Sequence, residues 1–377
     1  MDGGEIMADG GTGGRAVRHC VLAVLLLSAG TPVYLSAQDS TRIAEAQAVL
    51  APLVETYGVS SGEGPVREAL KRLLPGWAKS ETDTAGNLWV RVGEGSPVVV
   101  FIAHLDEIGF RVTRIRDDGT LELEPRGGFF PSLFEAQPAL VHTDRGDVSG
   151  VFPPRDSGFT RRTPPPLRVD IGSGSRAATA ARGVSSGSTV TMPKQYTRLS
   201  GTRATGRSFD DRVGSAAQLL ALRRLDRAAL KHQVIFIWSV REEIGLEGAE
   251  VAAASLGTTP RRVYAIDTFV SADSPLELPT FAVAPIGGGA VARAIDNSSI
   301  TPPAYVDSLV QIARARGVPL QVGTTNGGND GSVFTPYGVL DVAIGWPLRY
   351  SHSPVEVVDL RDVVSLADLI RAVAETW

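Results

Sequence analysis

The sequence predicts an α/β fold, a three-layer α/β/α main domain into which a small all-β domain is inserted. Two continuous apolar runs, VVVFIA over Val98–Ala103 and QVIFIWSV over Gln233–Val240, read as strands buried on both faces. Segments with helical apolar spacing alternate with them, as in a sheet covered by helices. Between about Arg111 and Arg207 the pattern changes to short strand-like pieces separated by glycine and proline turns, the mark of a separate β unit. A length of 377 residues suits about two domains. The expected division is residues 38–111 with 206–377 for the main domain and 112–205 for the insert.

Taken in order, residues 1–37 stand apart. Arg15, Arg18 and His19 precede the apolar run Val21–Ala29, and the small pair Ser36-Ala37 precedes Gln38. A positive start, a short apolar core and a small-residue exit are expected of a signal peptide, so the reading is a periplasmic or secreted protein with no membrane attachment after cleavage. Pro65–Leu74 carries Val66, Ala69, Leu70 and Leu73 at helical spacing behind a proline suited to a first turn. Gly86-Asn87 marks a turn into a strand over Leu88–Val92. Val98–Ala103 ends at His104. Within the insert, Thr120–Glu124 and Ala139–Thr143 read as strands. A helix is expected over Val213–Leu230, a strand over Val263–Asp267, and amphipathic helices over Ala304–Arg316 and Leu360–Thr376.

Composition removes several classes of function. The formal net charge is −4 and no long basic or acidic run occurs, which gives no electrostatic reason to expect nucleic acid. Cys20 is the only cysteine and would leave with the leader, so disulfides and thiolate metal sites are excluded. Any metal must be held by nitrogen and oxygen.

Polar residues at the ends of buried strands are where an α/β sheet places its chemistry. His104 follows the VVVFIA strand, and Asp106, two residues on, faces the same side in extended chain and can accept from its imidazole. Asp210 and Asp211 open a helix, where acids are commonly caps; with Arg212 beside them, one can bridge metals while the other is neutralised. Glu242 and Glu243 follow the QVIFIWSV strand, where two adjacent carboxylates repel unless a cation relieves them. One can ligate and the other act as general base. Asp267 ends a strand. Of five histidines, His19 falls in the leader, His142 in the insert and His232 at an expected surface helix end, leaving His104 and His352 in suitable contexts. Asp210, Glu243 and Asp267 bring three negative charges against four from two divalent ions, and imidazole with carboxylate suits zinc, cobalt or manganese.

The motifs AHLDEIGF, GRSFDDRVG, SVREEIGLEGA, AIDTFVSADSP, GGNDGSVF and RYSHSPVEVVDLRDV, in that order, resemble those of the TET-type aminopeptidases, a co-catalytic metallopeptidase family. The likeness runs from about Val59 to the C-terminal helix. It implies two divalent ions per subunit, zinc first among them. His104, Asp210 and Asp267 would hold one ion and Asp210, Glu243 and His352 the other, with Glu242 as general base and Asp106 behind His104. It further implies short peptide substrates, a homo-oligomer of two or more chains, and an insert similar to the family's dimerisation domain. Asn329 stands where the family more often has threonine, Arg241 where glutamine is common, and Ser351 where an apolar residue is usual. The rival readings are deacylation of N-acyl amino acids on the same site and a non-catalytic scaffold.

Overall fold

Side-chain alternation along the two apolar runs decides the architecture. In Val98–His104, Val99, Phe101 and Ala103 join one core, while Val100 and Ile102 join another. Gln233–Ser239 divides in the same way, with Val234, Phe236 and Trp238 on the first face and Ile235 and Ile237 on the second. Successive strand residues point to opposite faces, so both sides of the sheet need cover. In this computed structural model, which describes residues 36–155, 165–271, 273 and 283–376, helices Ala37–Glu55, Phe209–Arg224 and Leu360–Thr376 build the first core. Glu247–Ser255 supplies Ala249, Ala252 and Ala253 to the second. The predicted three layers follow.

Among the described residues the main sheet has nine strands. Their order is Ser80–Thr82, Leu88–Val92, Gln233–Ser239, Val98–His104, Arg262–Val270, Ile344–Leu348, Ala290–Ile295 and Leu320–Thr324, with Leu340–Asp341 pairing beside Arg262–Val270. The four strands Gln233–Ser239, Val98–His104, Arg262–Val270 and Ile344–Leu348 are parallel to their neighbours within the group. Their C-terminal ends therefore open on one edge. Phe236, Phe101 and Tyr264 stack across three adjacent strands, with ring centroids 5.5 and 5.2 Å apart. Aromatic pairs at such spacings contribute about 0.5–1.5 kcal/mol each beyond simple burial.

A second sheet of six strands is antiparallel throughout. Its strand order is Gly146–Phe152, Gln137–Thr143, Thr189–Thr191, Gly109–Ile115, Leu121–Arg126 and Arg168–Val169. Its own core includes Phe110, Phe134 and Phe152. A third, three-stranded sheet joins Thr197–Arg198, Arg203–Gly206 and Glu356–Asp359.

Several expectations shift. The helix expected over Val213–Leu230 spans Phe209–Arg224. It stops there because Leu225 turns into the core and Asp226 uses its side chain to accept from the Ala228 N–H at 3.2 Å, a local bond that competes with helix. The strand expected to end at Asp267 continues to Val270, which pairs with Leu348, so Asp267 lies within a strand. His232, expected on the surface, is buried. The helix Ala37–Glu55 was not expected; Ile43, Ala46, Val49, Leu50, Leu53 and Val54 form its inward stripe. The expected signal peptide lies outside the described residues, apart from Ser36 and Ala37. Among the described residues, no helix is long and apolar enough to cross a membrane.

Candidate metal centre

His104 closes its strand and is fixed from behind. Its main-chain N–H donates to Asp211 Oδ2 at 2.9 Å, and Asp211 Oδ1 accepts from the Gly214 N–H at 2.9 Å. One carboxylate thus ties the strand end to the start of a helix. A Cβ on residue 214 would stand 2.1 Å from that Oδ1, so only glycine admits it. The expectation that Arg212 neutralises one of the paired acids is corrected. Its guanidinium turns to the carbonyl oxygens of Leu53 and Leu105 and to Glu107, while Asp211 is held by main-chain donors.

Asp210 leaves the helical path (φ −76°, ψ 110°), and its peptide bond to Asp211 is cis. Its Oδ1 lies 3.2 Å from His104 Nε2, and its Oδ2 lies 3.4 Å from His352 Nε2. One carboxylate therefore stands between both imidazoles.

Glu242 and Glu243 follow a strand that pairs Ser239 with His104. Their main-chain N–H groups donate to Asp106 at 3.0 and 3.2 Å, and Ser60 Oγ donates to the same carboxylate at 2.6 Å. Asp106 Oδ1 also lies 3.4 Å from His104 Nδ1. Glu243 Oε1 is 3.3 Å from His352 Nε2, and Glu242 Oε2 is 3.9 Å from His104 Nε2. Asp267 faces Arg293, whose Nη1 is 3.3 Å from its Oδ1. His352 donates from Nδ1 to the Gly128 carbonyl at 2.6 Å, which leaves Nε2 facing the acids.

Backbone strain marks the same places. Ser208, Arg241, Tyr350 and His352 take left-handed φ values of 72°, 56°, 60° and 58°. Non-glycine residues held there cost on the order of 1–3 kcal/mol each, and such strain gathers at functional sites.

Every one of the five expected ligands enters one of two overlapping triads, His104–Asp210–Asp267 and Asp210–Glu243–His352, whose ligand atoms within each triad lie within 4.8 Å of one another. A third grouping joins His104 to Glu242 and Glu243. Burial pushes Glu242 well above the usual carboxylate range, with Asp267, Glu243 and Asp330 adding repulsion. Asp267 is pushed to about 7 by burial, which Arg293 only partly offsets. Burial acts on Asp210 too, yet the two imidazoles outweigh it and hold its carboxyl low. His352 is raised despite burial, because Glu243 and Asp210 favour its charged form.

Acidic groups crowd the site, and the imidazolium protons with Arg293 are the counter-charge the chain itself offers. Glu243 Oε1 is buried and makes no well-formed hydrogen bond, with only His352 Nε2 facing it at 3.3 Å, a condition that a cation would relieve. Imidazole and carboxylate donors fit a divalent ion.

The profile of the M42 glutamyl aminopeptidases matches residues 86–369. The chain belongs to that family. As an M42 peptidase it is a peptide hydrolase, an aminopeptidase of a kind that works with divalent metal. It is 31% identical to a lysyl aminopeptidase of Pyrococcus furiosus over 339 residues, covering 86% of this chain and 95% of the relative. It is 30% identical to a glutamyl aminopeptidase of Lactococcus lactis subsp. cremoris, covering 85% and 93%. Among solved structures, the TET1 peptidase of Pyrococcus horikoshii is similar at a TM-score of 0.79 and 32% identity, covering 88% of this chain and 99% of that one.

These relationships correct one expectation. The expected signal peptide and secreted location are not supported by the kinship, which is to aminopeptidases and TET-type peptidases. A nine-residue apolar run after two arginines meets a hydropathy pattern without specifying secretion.

Sequence reasoning missed four supports of the M42 site. Asp211 was visible as the second acid of its pair, but its partners were not. Asp330, inside GGNDGSVF, accepts from Ser239 Oγ and is pushed to about 6 by burial. Arg293 sits on a strand that only the sheet order brings near Asp267, and Gly128 contributes a main-chain oxygen that leaves no trace in sequence.

Proposed function

We propose that the chain is a dinuclear aminopeptidase that trims N-terminal residues from short peptides. His104, Asp210 and Asp267 would hold one ion; Asp210, Glu243 and His352 would hold the other. Zinc is the first candidate, and cobalt and manganese suit the same donors. The observation that carries this reading is Asp210, whose two oxygens address the two imidazoles separately at 3.2 and 3.4 Å.

When bound, the ions supply Lewis acidity that polarises the scissile carbonyl and acidifies a water. The remaining work belongs to side chains. Glu242, with its main chain fixed by Asp106, accepts the proton from the attacking water and returns it to the amine nitrogen as the C–N bond breaks. Asp106 and Gly128 keep the two imidazoles turned toward the acids.

Homo-oligomer formation through the insert, residues 112–205, is part of the proposal. Its support is the likeness to the P. horikoshii TET1 peptidase, which is described as assembling into a tetrahedron or a large octahedral shell. The free amine decides between peptidase and deacylase. Aminoacyl nitroanilides should be cleaved by the metal-loaded chain and their N-acetyl forms refused; preference for the acetyl forms would overturn the assignment.

A further inference from the structure

Apolar side chains line the cleft that opens over Glu242 and Asp267. The cleft has a volume of about 670 Å³, and Phe129, Phe130, Leu133, Leu246 and Val270 line it together with the acids. Phe130 is 77% exposed, Leu133 41% and Val270 37%. Large apolar groups left in water beside convergent polar ones are the usual character of a binding pocket.

The wall is anchored to the metal centre. Gly128, next to Phe129, is the residue whose carbonyl accepts from His352 Nδ1. The Phe129 ring meets Phe110 edge-on at 5.1 Å and lies 4.9 Å from Phe134, so the loop is pinned in the core of the six-stranded sheet. Val270 lies three residues beyond Asp267 on the same strand, and its N–H donates to Thr325 Oγ1 at 3.0 Å. Apolar side chains thus line the cleft from two elements, the loop anchored by Phe129 and the strand that carries Asp267.

Charge points the same way. Among the described lining residues the charged groups are Asp210, Glu242, Glu243, Asp267, His352 and Arg293. The first five belong to the proposed centre. Arg293 is 1% exposed and its charge is paired twice, with Nη1 3.3 Å from Asp267 and Nη2 3.1 Å from Asp296; it donates to the Gly328 carbonyl at 2.9 Å, while Nε and Nη1 make no hydrogen bond. A pocket for a glutamyl side chain needs an uncommitted cation, and one for a lysyl side chain an uncommitted anion. The described lining offers neither.

We infer that this aminopeptidase prefers peptides whose N-terminal residue is large and apolar, leucine or phenylalanine, with Phe130 and Leu133 as specificity-determining residues. The inference rests on the aminopeptidase reading above. One missing methylene in an apolar pocket commonly changes kcat/KM by about 10–200-fold.

The test uses the metal-loaded full chain and the p-nitroanilides of Leu, Phe, Ala, Glu and Lys. The Leu and Phe substrates should exceed Glu and Lys in kcat/KM by about tenfold or more. In Phe130→Ala and Leu133→Ala, the ratio of Leu to Ala turnover should fall by about tenfold, and Phe130→Leu should restore most of it. Preference for Glu or Lys would overturn the inference, as would a Leu-to-Ala ratio that neither alanine variant moves. Activity with Ala alone would overturn the inference and leave the aminopeptidase reading standing; turnover of none of the five would remove both.

Discussion

Asp106 lies 3.4 Å from the Nδ1 of His104 and holds the Glu242–Glu243 turn by the same carboxylate, which accepts both of their main-chain N–H groups. A single buried acid therefore orients an imidazole from one strand and two acids from the next.

Replacing Asp106 with Ala should weaken metal binding by about 10–100-fold, the usual loss when the group behind a ligating histidine is removed. Chelator competition measures this. Asp106→Asn, which keeps one acceptor, should fall between. Unchanged affinity in both variants would show that His104 is oriented by other groups.

Glu242→Gln should retain metal while kcat falls by about 10²–10⁴-fold, because the amide cannot take a proton. Metal content by mass spectrometry and turnover of a nitroanilide decide it. Full activity would remove Glu242 from the proton transfer.

The strand ends that carry these side chains are legible in the sequence, because buried strands place their termini on one edge. The grouping of the five expected ligands into one site came only from the motif resemblance. His104 and the Glu242–Glu243 pair each follow an apolar run that reads as a doubly buried strand, and parallel strands present their ends on one edge. Asp267 was found for the same reason, although the strand runs past it because Leu348 is there to pair with Val270. The supports were not legible. Asp211 is committed to the main chain of His104, 107 residues earlier, and Gly128 reaches His352 across 224 residues through an atom every residue carries. Arg212, read as a partner for its neighbouring acids, instead serves Glu107 and carbonyls brought to it by tertiary packing.

Glu107 stands between the strand that ends at His104 and the one that begins at Gly109, and it gathers cations from elsewhere. Lys194 Nζ and Arg207 Nη2 lie 2.8 Å from it, Arg212 Nη2 lies 3.4 Å away, and the Gly58 N–H donates at 2.7 Å. Burial would raise its pKa, but Lys194, Arg207 and Arg212 together hold it well below the usual range. Glu107→Ala should cost about 3–5 kcal/mol by leaving buried cations without their partner. Urea unfolding at pH 7 reads this loss. The contribution is present above the ordinary glutamate pKa and disappears as pH falls through the folded value, so the variant should lose less, relative to the parent, in strong acid.

Asp341 gives the opposite pH dependence. Burial, and beyond it the nearby Asp296, push its carboxyl to about 7. An acid raised on folding favours the native state fully below its unfolded pKa, and that advantage is lost as pH rises through about 7. At pH 8 the burden is on the order of 4 kcal/mol. Asp341→Asn, which carries no charge at any pH, should raise Tm more at pH 8 than at pH 5 in thermal scans. An equal change at both values would show that Asp341 does not titrate in this range.

The central claim is that Asp210 is shared by two cations. Anomalous diffraction at the absorption edge of the bound metal tests it most directly. The account predicts two peaks per chain, one against His104 and Asp267, one against Glu243 and His352, both within bonding distance of Asp210. A single peak, or peaks that leave Asp210 out of the coordination, would contradict it.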